Sequence, residues 1–286
     1  MGKSNTEAIN TPNTPDPEYV LGRSTAEHER LMLQSSFLEP ATDRLFHAAG
    51  IGPGMRVLDV GSGIGDVAFL AARLVGPTGS VVGVDLDANA LAFARSRAAE
   101  MKLTNVTFVH GDVRDVALDG AFDAAVGRLV LLYIADPIEA LRVIAAKVRR
   151  GGVLAFHEWA QKTMALQPRA DLPLSTQVGK WLASGFNTAG IDTDVGAKLF
   201  KYMKSAGLEP APMPLAEAIF HNDPDKFVSL RIKSLQSMLP AIIRNGVATE
   251  AEIDIDTLAQ RLRDEIFAAN ANRPYMTLFG QWARKP

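Results

Sequence analysis

Three glycines within five positions, Gly61, Gly63 and Gly65, follow the apolar run that ends at Asp59-Val60. Apolar residues then resume at helical spacing. Glycine at such a junction allows positive φ and lets the backbone come close to a neighbour. A strand–turn–helix unit of this kind points helix-N-terminal amides outward, where they suit a nucleotide-like ligand, although a tight turn alone would also account for the glycines. Asp85, twenty residues after Gly65, ends the next apolar run. A carboxylate there can accept both hydrogen bonds of a ribose diol, in NAD or in an adenosyl cofactor. The third run ends in Gly111-Asp112-Val113. Asp112 beside an adenine edge can accept from the exocyclic amine while the Val113 amide donates to a ring nitrogen, and Leu86 can pack on the adenine face. An NAD fold has no particular need of this third acid, so the trio favours an adenosyl ligand.

Residues spaced this way meet only if a sheet gathers the ends of their runs. "MRVLDV", "SVVGVDLD", "VTFVHGD", "FDAAVGRLVLLYI" and "GVLAFHEWA" read as strands, separated by helical stretches such as "NALAFARSRAAEMKL" and "PIEALRVIAAKVRRGG". Such alternation predicts a parallel sheet with helices on both faces. Asp87 or Asn89 is placed to cap the first of these helices. The segment "STAEHERLMLQSSFLEPATDRLFHAAGI" reads as helical, interrupted near Pro40. Beyond Ala160 the pattern loosens into inserted helices, a sixth strand in "APMPLAEAIF", a helical region broken near Asn245-Gly246 and a final strand in "YMTLFGQWARK".

The bulk numbers narrow the class. The chain has 286 residues, 47% hydrophobic and 22% charged, with a net charge of −2. No basic block marks a nucleic-acid partner. No apolar run approaches the roughly 18 residues of a membrane span, and the N-terminus lacks a signal-peptide core. The absence of cysteine excludes disulfides and thiolate sites and fits a cytoplasmic location. "MGKSNT" matches the loose myristoylation pattern, but residues 1–17 read as a polar, disordered tail.

Taken together, "VLDVGSGIGDVAFLAARLVGPTGSVVGVDLD", "FVHGDV", "FDAAVGRLVLLYIADP" and "VRRGGVLAF" resemble the class I S-adenosylmethionine-dependent methyltransferases, in the ubiquinone/menaquinone methyltransferase-like branch that acts on small molecules. The resemblance covers Met55 to about Ala160, with the final strand matching more loosely. It implies a Rossmann-like, doubly wound, mostly parallel sheet of about seven strands, the last antiparallel. The rest of the chain reads as part of the same single domain over residues 18–286, with helical cover segments at about 18–50, 171–190 and 224–270.

The resemblance places Asp59, Gly61, Ser62 and Gly63 at the methionine part of the cofactor, Asp85 and Leu86 at ribose and adenine, and Asp112 and Val113 at the adenine edge. Gly127 and Arg128 fall on the methionyl and acceptor side. Arg128 departs from the small polar residue commoner there, and its guanidinium can bind a carboxylate bidentately. Tyr19 or Arg23 would cover the sulfonium or bind its carboxylate. If the acceptor must lose a proton, His157, Glu158 and Tyr133 are the candidate bases, with no metal spacing in sight. Trp181, Phe186, Phe227, Leu230, Leu235 and Met238 are candidates for an apolar acceptor pocket. The reading is methyl transfer to a hydrophobic small-molecule acceptor, plausibly a specialised metabolite. It leaves open a cofactor-dependent isomerisation or cyclisation, an NAD-dependent oxidoreductase and a non-catalytic binding module, and a homodimer among oligomeric states.

Overall fold

The structure, a computed structural model, describes residues 16, 17, 19, 21, 25–164 and 170–286. Its helices and strands in chain order are α1 (Thr25–Ala49), β1 (Arg56–Val60), α2 (Asp66–Val75), β2 (Ser80–Asp85), α3 (Ala88–Glu100), β3 (Val106–His110), β4 (Phe122–Arg128), α4 (Pro137–Lys147), β5 (Val148–Trp159), α5 (Pro173–Thr188), α6 (Leu199–Ser205), β6 (Glu209–Pro210), β7 (Leu215–Phe220), α7 (Pro224–Arg244), α8 (Glu250–Ile253), α9 (Ile255–Ala269) and β8 (Pro274–Arg284).

One sheet of eight strands joins them in the order β3-β2-β1-β4-β5-β8-β6, with β7 also pairing β8. β8 alone runs against its neighbours, with Val153 opposite Arg284 and Trp159 opposite Leu278. The sixth-strand segment proves to be two short strands, β6 on one half of β8 and β7 on the other. Alternate residues enter opposite cores. Val57, Ala124, Val126, Val153 and Ala155 pack under α2 and α3, while Leu58, Ala125, Leu154 and Phe156 face the core on the other side. Both faces are therefore covered, as parallel strands require.

α1 runs unbroken through Pro40, where the sequence predicts an interruption. The proline removes one backbone hydrogen bond and crowds the preceding turn, but Phe37, Leu38, Ala41, Leu45 and Phe46 are all buried around it. Tertiary packing outweighs the local penalty. Asp87 caps α3, its carboxylate accepting from the Asn89 and Ala90 amides. The helical region after Pro224 does break at Asn245, where α7 ends. Among the described residues no helix is long and apolar enough to cross a membrane. Of the expected tail, residues 1–15 lie outside the described residues, and Asp16 is tied down: its carboxylate accepts from the Ala135 amide at 2.8 Å and pairs with Arg114.

Candidate active site

The carboxyl ends of β1, β2, β3 and β4 open onto one cavity of about 680 Å³. It lies where strand order reverses between β1 and β4, the switch point at which open α/β sheets bind ligands.

The three glycines serve different needs. All have positive φ, but a Cβ at Gly61 would sit 2.4 Å from Val130 Cγ2, and one at Gly65 would sit 2.6 Å from Phe69 Cζ. Packing excludes a side chain at both. At Gly63 a Cβ would meet nothing within 4 Å, so the open space there belongs to the cavity. The Gly63 amide donates to Asp85 Oδ2 at 2.7 Å, and the Asp87 amide donates to Oδ1 at 2.8 Å. These two bonds fix the carboxylate at the cavity wall. Leu86 follows at the rim, 57% exposed, its carbonyl held 3.0 Å from His110 Nε2.

Asp112 and Val113 also line the cavity. Asp112 is engaged more fully than the sequence suggests. It accepts from the Arg114 amide at 2.8 Å and from Nε at 2.9 and 3.0 Å. The Arg114 guanidinium, shared with Asp16, holds the Asp112 carboxyl below its usual range. An adenine amine reaching Asp112 has to share it with Arg114.

Arg128, at the end of β4, stands half-buried in the cavity wall. Its guanidinium donates to Ser35 Oγ at 3.0 Å and to Thr42 Oγ1 at 3.3 Å, and among the described residues it forms no ion pair. Burial pushes its pKa down, against the pull of Asp66 and Asp59. The next residue, Leu129, has φ of +53°, an uncommon conformation for a branched side chain and a form of local strain seen at functional sites.

The remaining expectations divide. Gly127 does not reach the cavity, and its missing side chain makes room for Phe156 Cε1, 2.7 Å from where a Cβ would stand. His157 and Glu158 are fully buried and do not line the cavity either. Thr42 donates its hydroxyl hydrogen to Leu38 O. The 3.3 Å contact between Thr42 Oγ1 and His157 Nδ1 therefore needs the proton on Nδ1. Burial takes the His157 pKa down to about 3, helped by Arg128 and Arg44. Glu158 accepts from the Val130 and Leu131 amides at 3.0 and 2.9 Å, yet burial pushes its carboxyl up to about 7. The Glu158 side chain holds the turn after β4 from behind, while the His157 ring meets Thr42 of α1.

Tyr133 does line the cavity, 5.1 Å from the ring of Tyr19. Burial pushes both phenols up, so both stay protonated at neutral pH. Arg23 lies outside the described residues. Of the six candidates for the apolar pocket, Phe186 lines the cavity. Trp181, Phe227, Leu230, Leu235 and Met238 are buried in the core instead. Helical spacing identifies a buried stripe without saying which neighbour it faces.

Several cavity residues carried no sequence signal strong enough to single them out. Glu27 and Arg30 form a buried pair with two 2.7 Å hydrogen bonds, joined by the Tyr19 hydroxyl at 2.6 Å. Their spacing of three on an apolar helix was the available hint. His28, stacked on Phe93 at 4.7 Å, has a buried Nε2 without a partner. Arg231 is 8% exposed and lines the cavity from α7.

Residues 51–187 match the family model described as a methyltransferase domain. The chain is also 37% identical over 127 residues to an arsenite methyltransferase of Aquipseudomonas alcaligenes, covering 41% of this chain and 37% of that protein. It is 29% identical over 160 residues to a demethylmenaquinone methyltransferase of Staphylococcus aureus, covering 55% and 66%. Just under half of this chain thus resembles a methyltransferase domain. The chain spans 37% and 66% of the lengths of these two curated relatives. The fold of the domain is shared with an S-adenosylmethionine-dependent methyltransferase from Aquifex aeolicus, at a TM-score of 0.51 and 18% identity over 66% of this chain and 91% of that one.

The residues at this cavity fit S-adenosylmethionine as a cofactor. Ser62 Oγ and both oxygens of Asp59 are buried without a hydrogen bond of normal geometry, the Ala68 amide giving Asp59 only a weak pull. Such orphans are costly unless something answers them. Ser62 lines the cavity itself, and Asp59 is two residues before Gly61 at its wall.

Proposed function

We propose that this chain transfers a methyl group from S-adenosylmethionine to a small, largely apolar acceptor held in the same cavity. The observation that carries the reading is continuity. One cavity runs from the Gly63–Asp85 wall to the apolar side chains of Leu172, Leu182, Phe186 and Met276. Its volume lies inside the range of about 300–1,000 Å³ usual for small-molecule sites.

Bound there, S-adenosylmethionine supplies a methyl group already activated on a positively charged sulfur. Asp85 would take the ribose hydroxyls, Leu86 would pack on the base, and Arg128 would pair with the methionine carboxylate. Tyr19 and Tyr133 cover the cation with their ring faces. α5 and α7 form the cover that excludes water and orients the acceptor, an alignment worth up to about 7–11 kcal/mol in rate. The three candidate bases take no proton in this reading: His157 and Glu158 stand behind the wall, and Tyr133 stays protonated. The acceptor therefore arrives as a ready nucleophile. Arsenite, named for one relative, suits the site poorly, because soft acceptors call for thiolates and the chain has no cysteine.

The test is a calorimetric titration with S-adenosylmethionine, S-adenosylhomocysteine and NAD, followed by an acceptor screen that reads S-adenosylhomocysteine release. Binding of the first two and release in step with product are expected. Binding of NAD alone would overturn the reading. Product formed without S-adenosylhomocysteine would mean that the sulfonium serves a cyclisation or isomerisation.

A further inference from the structure

Arg231 is a buried cation facing the acceptor side of the cavity without an anion to meet it. It sits on α7 at 8% exposure. Nη2 donates to the carbonyls of Pro274 and Tyr275, both at 3.1 Å. Nε is buried with no hydrogen-bond partner. Nη1 lies 3.9 Å from where a Cβ of Gly179 would be, so the missing side chain on α5 leaves space beside it. Phe227 and Tyr275 flank the guanidinium at 5.2 and 5.3 Å. Among the described residues it has no ion pair. A guanidinium removed from water in this way costs free energy unless an acceptor answers it.

The charge of the surrounding wall has one sign. The cavity residues contributed by α5, α7 and β8 include Lys180 and Arg231 and no acidic side chain. The cavity's acids, Glu27, Asp66, Asp85, Asp87 and Asp112 among them, lie toward α1 and the ends of β1 to β3. Ser234, one helical turn from Arg231, and Ser175 and Thr176 on α5 add hydroxyl donors to the same side.

Resting on the methyl-transfer reading above, we propose that the acceptor carries an anionic oxygen group, in its simplest form a carboxylate, docked on Arg231 beside an apolar body that fills the space between α5 and β8. With that group as the nucleophile, its oxygen bonds the methyl carbon as the carbon–sulfur bond breaks, the bonding pair leaves on sulfur and no proton moves, so the site needs no protein base. The acceptor's negative charge is drawn toward the cofactor cation, and Arg231 fixes its orientation by a forked, two-point contact.

The experiment compares 2-naphthoate with 2-naphthamide, which share shape and differ in charge, in calorimetric titrations of the full chain with and without saturating S-adenosylhomocysteine. The wild type is expected to bind naphthoate about tenfold more tightly than naphthamide. The ratio is expected to fall to near one in Arg231→Met and to recover partly in Arg231→Lys, with S-adenosylhomocysteine affinity unchanged in all three. A brace between α7 and β8 would instead weaken both probes alike. Equal binding of the probes by the wild type, no binding of either, or a ratio that survives Arg231→Met overturns the proposal. So does a loss of S-adenosylhomocysteine affinity in the variant, which would make Arg231 a cofactor residue. Failure of S-adenosylhomocysteine to bind the wild type would sink the methyl-transfer reading instead, and the probe ratio measured without it still decides this one.

Discussion

Asp85 is held by the Gly63 and Asp87 amides before any ligand arrives, so its position is set in advance. Asp85→Asn keeps one acceptor oxygen and loses the second with the charge. It is expected to weaken S-adenosylhomocysteine about tenfold, the scale of a charge-assisted hydrogen bond, as read by calorimetry. Unchanged affinity would move the ribose elsewhere. Behind the wall, Glu158 and His157 tune stability rather than chemistry. The Glu158 carboxyl at about 7 stands above its unfolded value of about 4.3. Its stabilising contribution is full below about pH 4 and is lost as pH rises to about 7, a change of roughly 4 kcal/mol at most. His157 works in the opposite sense. Its pKa of about 3 is below the unfolded value of about 6.5, so stability falls as pH drops through that window. Glu158→Gln is accordingly expected to melt higher relative to wild type at pH 8 than at pH 5. A constant difference across that range would contradict the burial argument. The sequence placed both residues at the right sheet edge but could not see that Thr42 of α1 and the turn after β4 close over them.

At the scale of elements, α5 owes its first turn to a distant acid. The Leu174 and Ser175 amides, which no residue of a helix start can satisfy, donate to Glu265 on α9 at 2.5 and 2.9 Å. Glu265→Ala is expected to cost about 1 kcal/mol, to speed hydrogen exchange in the first turn of α5, and to raise the acceptor KM while S-adenosylhomocysteine affinity holds. Exchange rates equal to wild type would show that the anchor is dispensable. The strands from β1 to β5 and the helices between them were legible, because buried parallel strands read as short apolar runs with glycine turns between them. The helices after Ala160 were legible as helices only. Their apolar stripes are shared between the cavity and one another, as where Gly185 on α5 brings Met238 of α7 within 2.7 Å of a would-be Cβ. Pro40 misled for the same reason in reverse, because its local signal is real and the packing around it is stronger.

Across the whole molecule, the cavity's acids all lie on the cofactor side, with Arg30, Arg114 and Arg128 among them, while the other side holds the cations Arg231 and Lys180 and no acid. The composition hid this division, since a net charge of −2 averages over both. β8 shows how much of the architecture waits on one late segment. It fills the slot between β5 and the pair β6 and β7, and Pro274 lies 115 residues beyond Trp159. At about 5–20 residues per second of synthesis, the outer edge of β5 stands open for roughly 6–23 seconds in the nascent chain. That edge, with Leu154, Ala155 and Phe156 on it, is an invitation to foreign strands. Deleting residues 274–286 is expected to make the exposure permanent and to send the chain into the pellet on sedimentation. A soluble truncated chain with native S-adenosylhomocysteine affinity would show that β5 protects itself. In the intact chain the yield of soluble protein is then a race between the ribosome and aggregation, and slower translation past Trp159 lowers it without altering the stability of the finished fold.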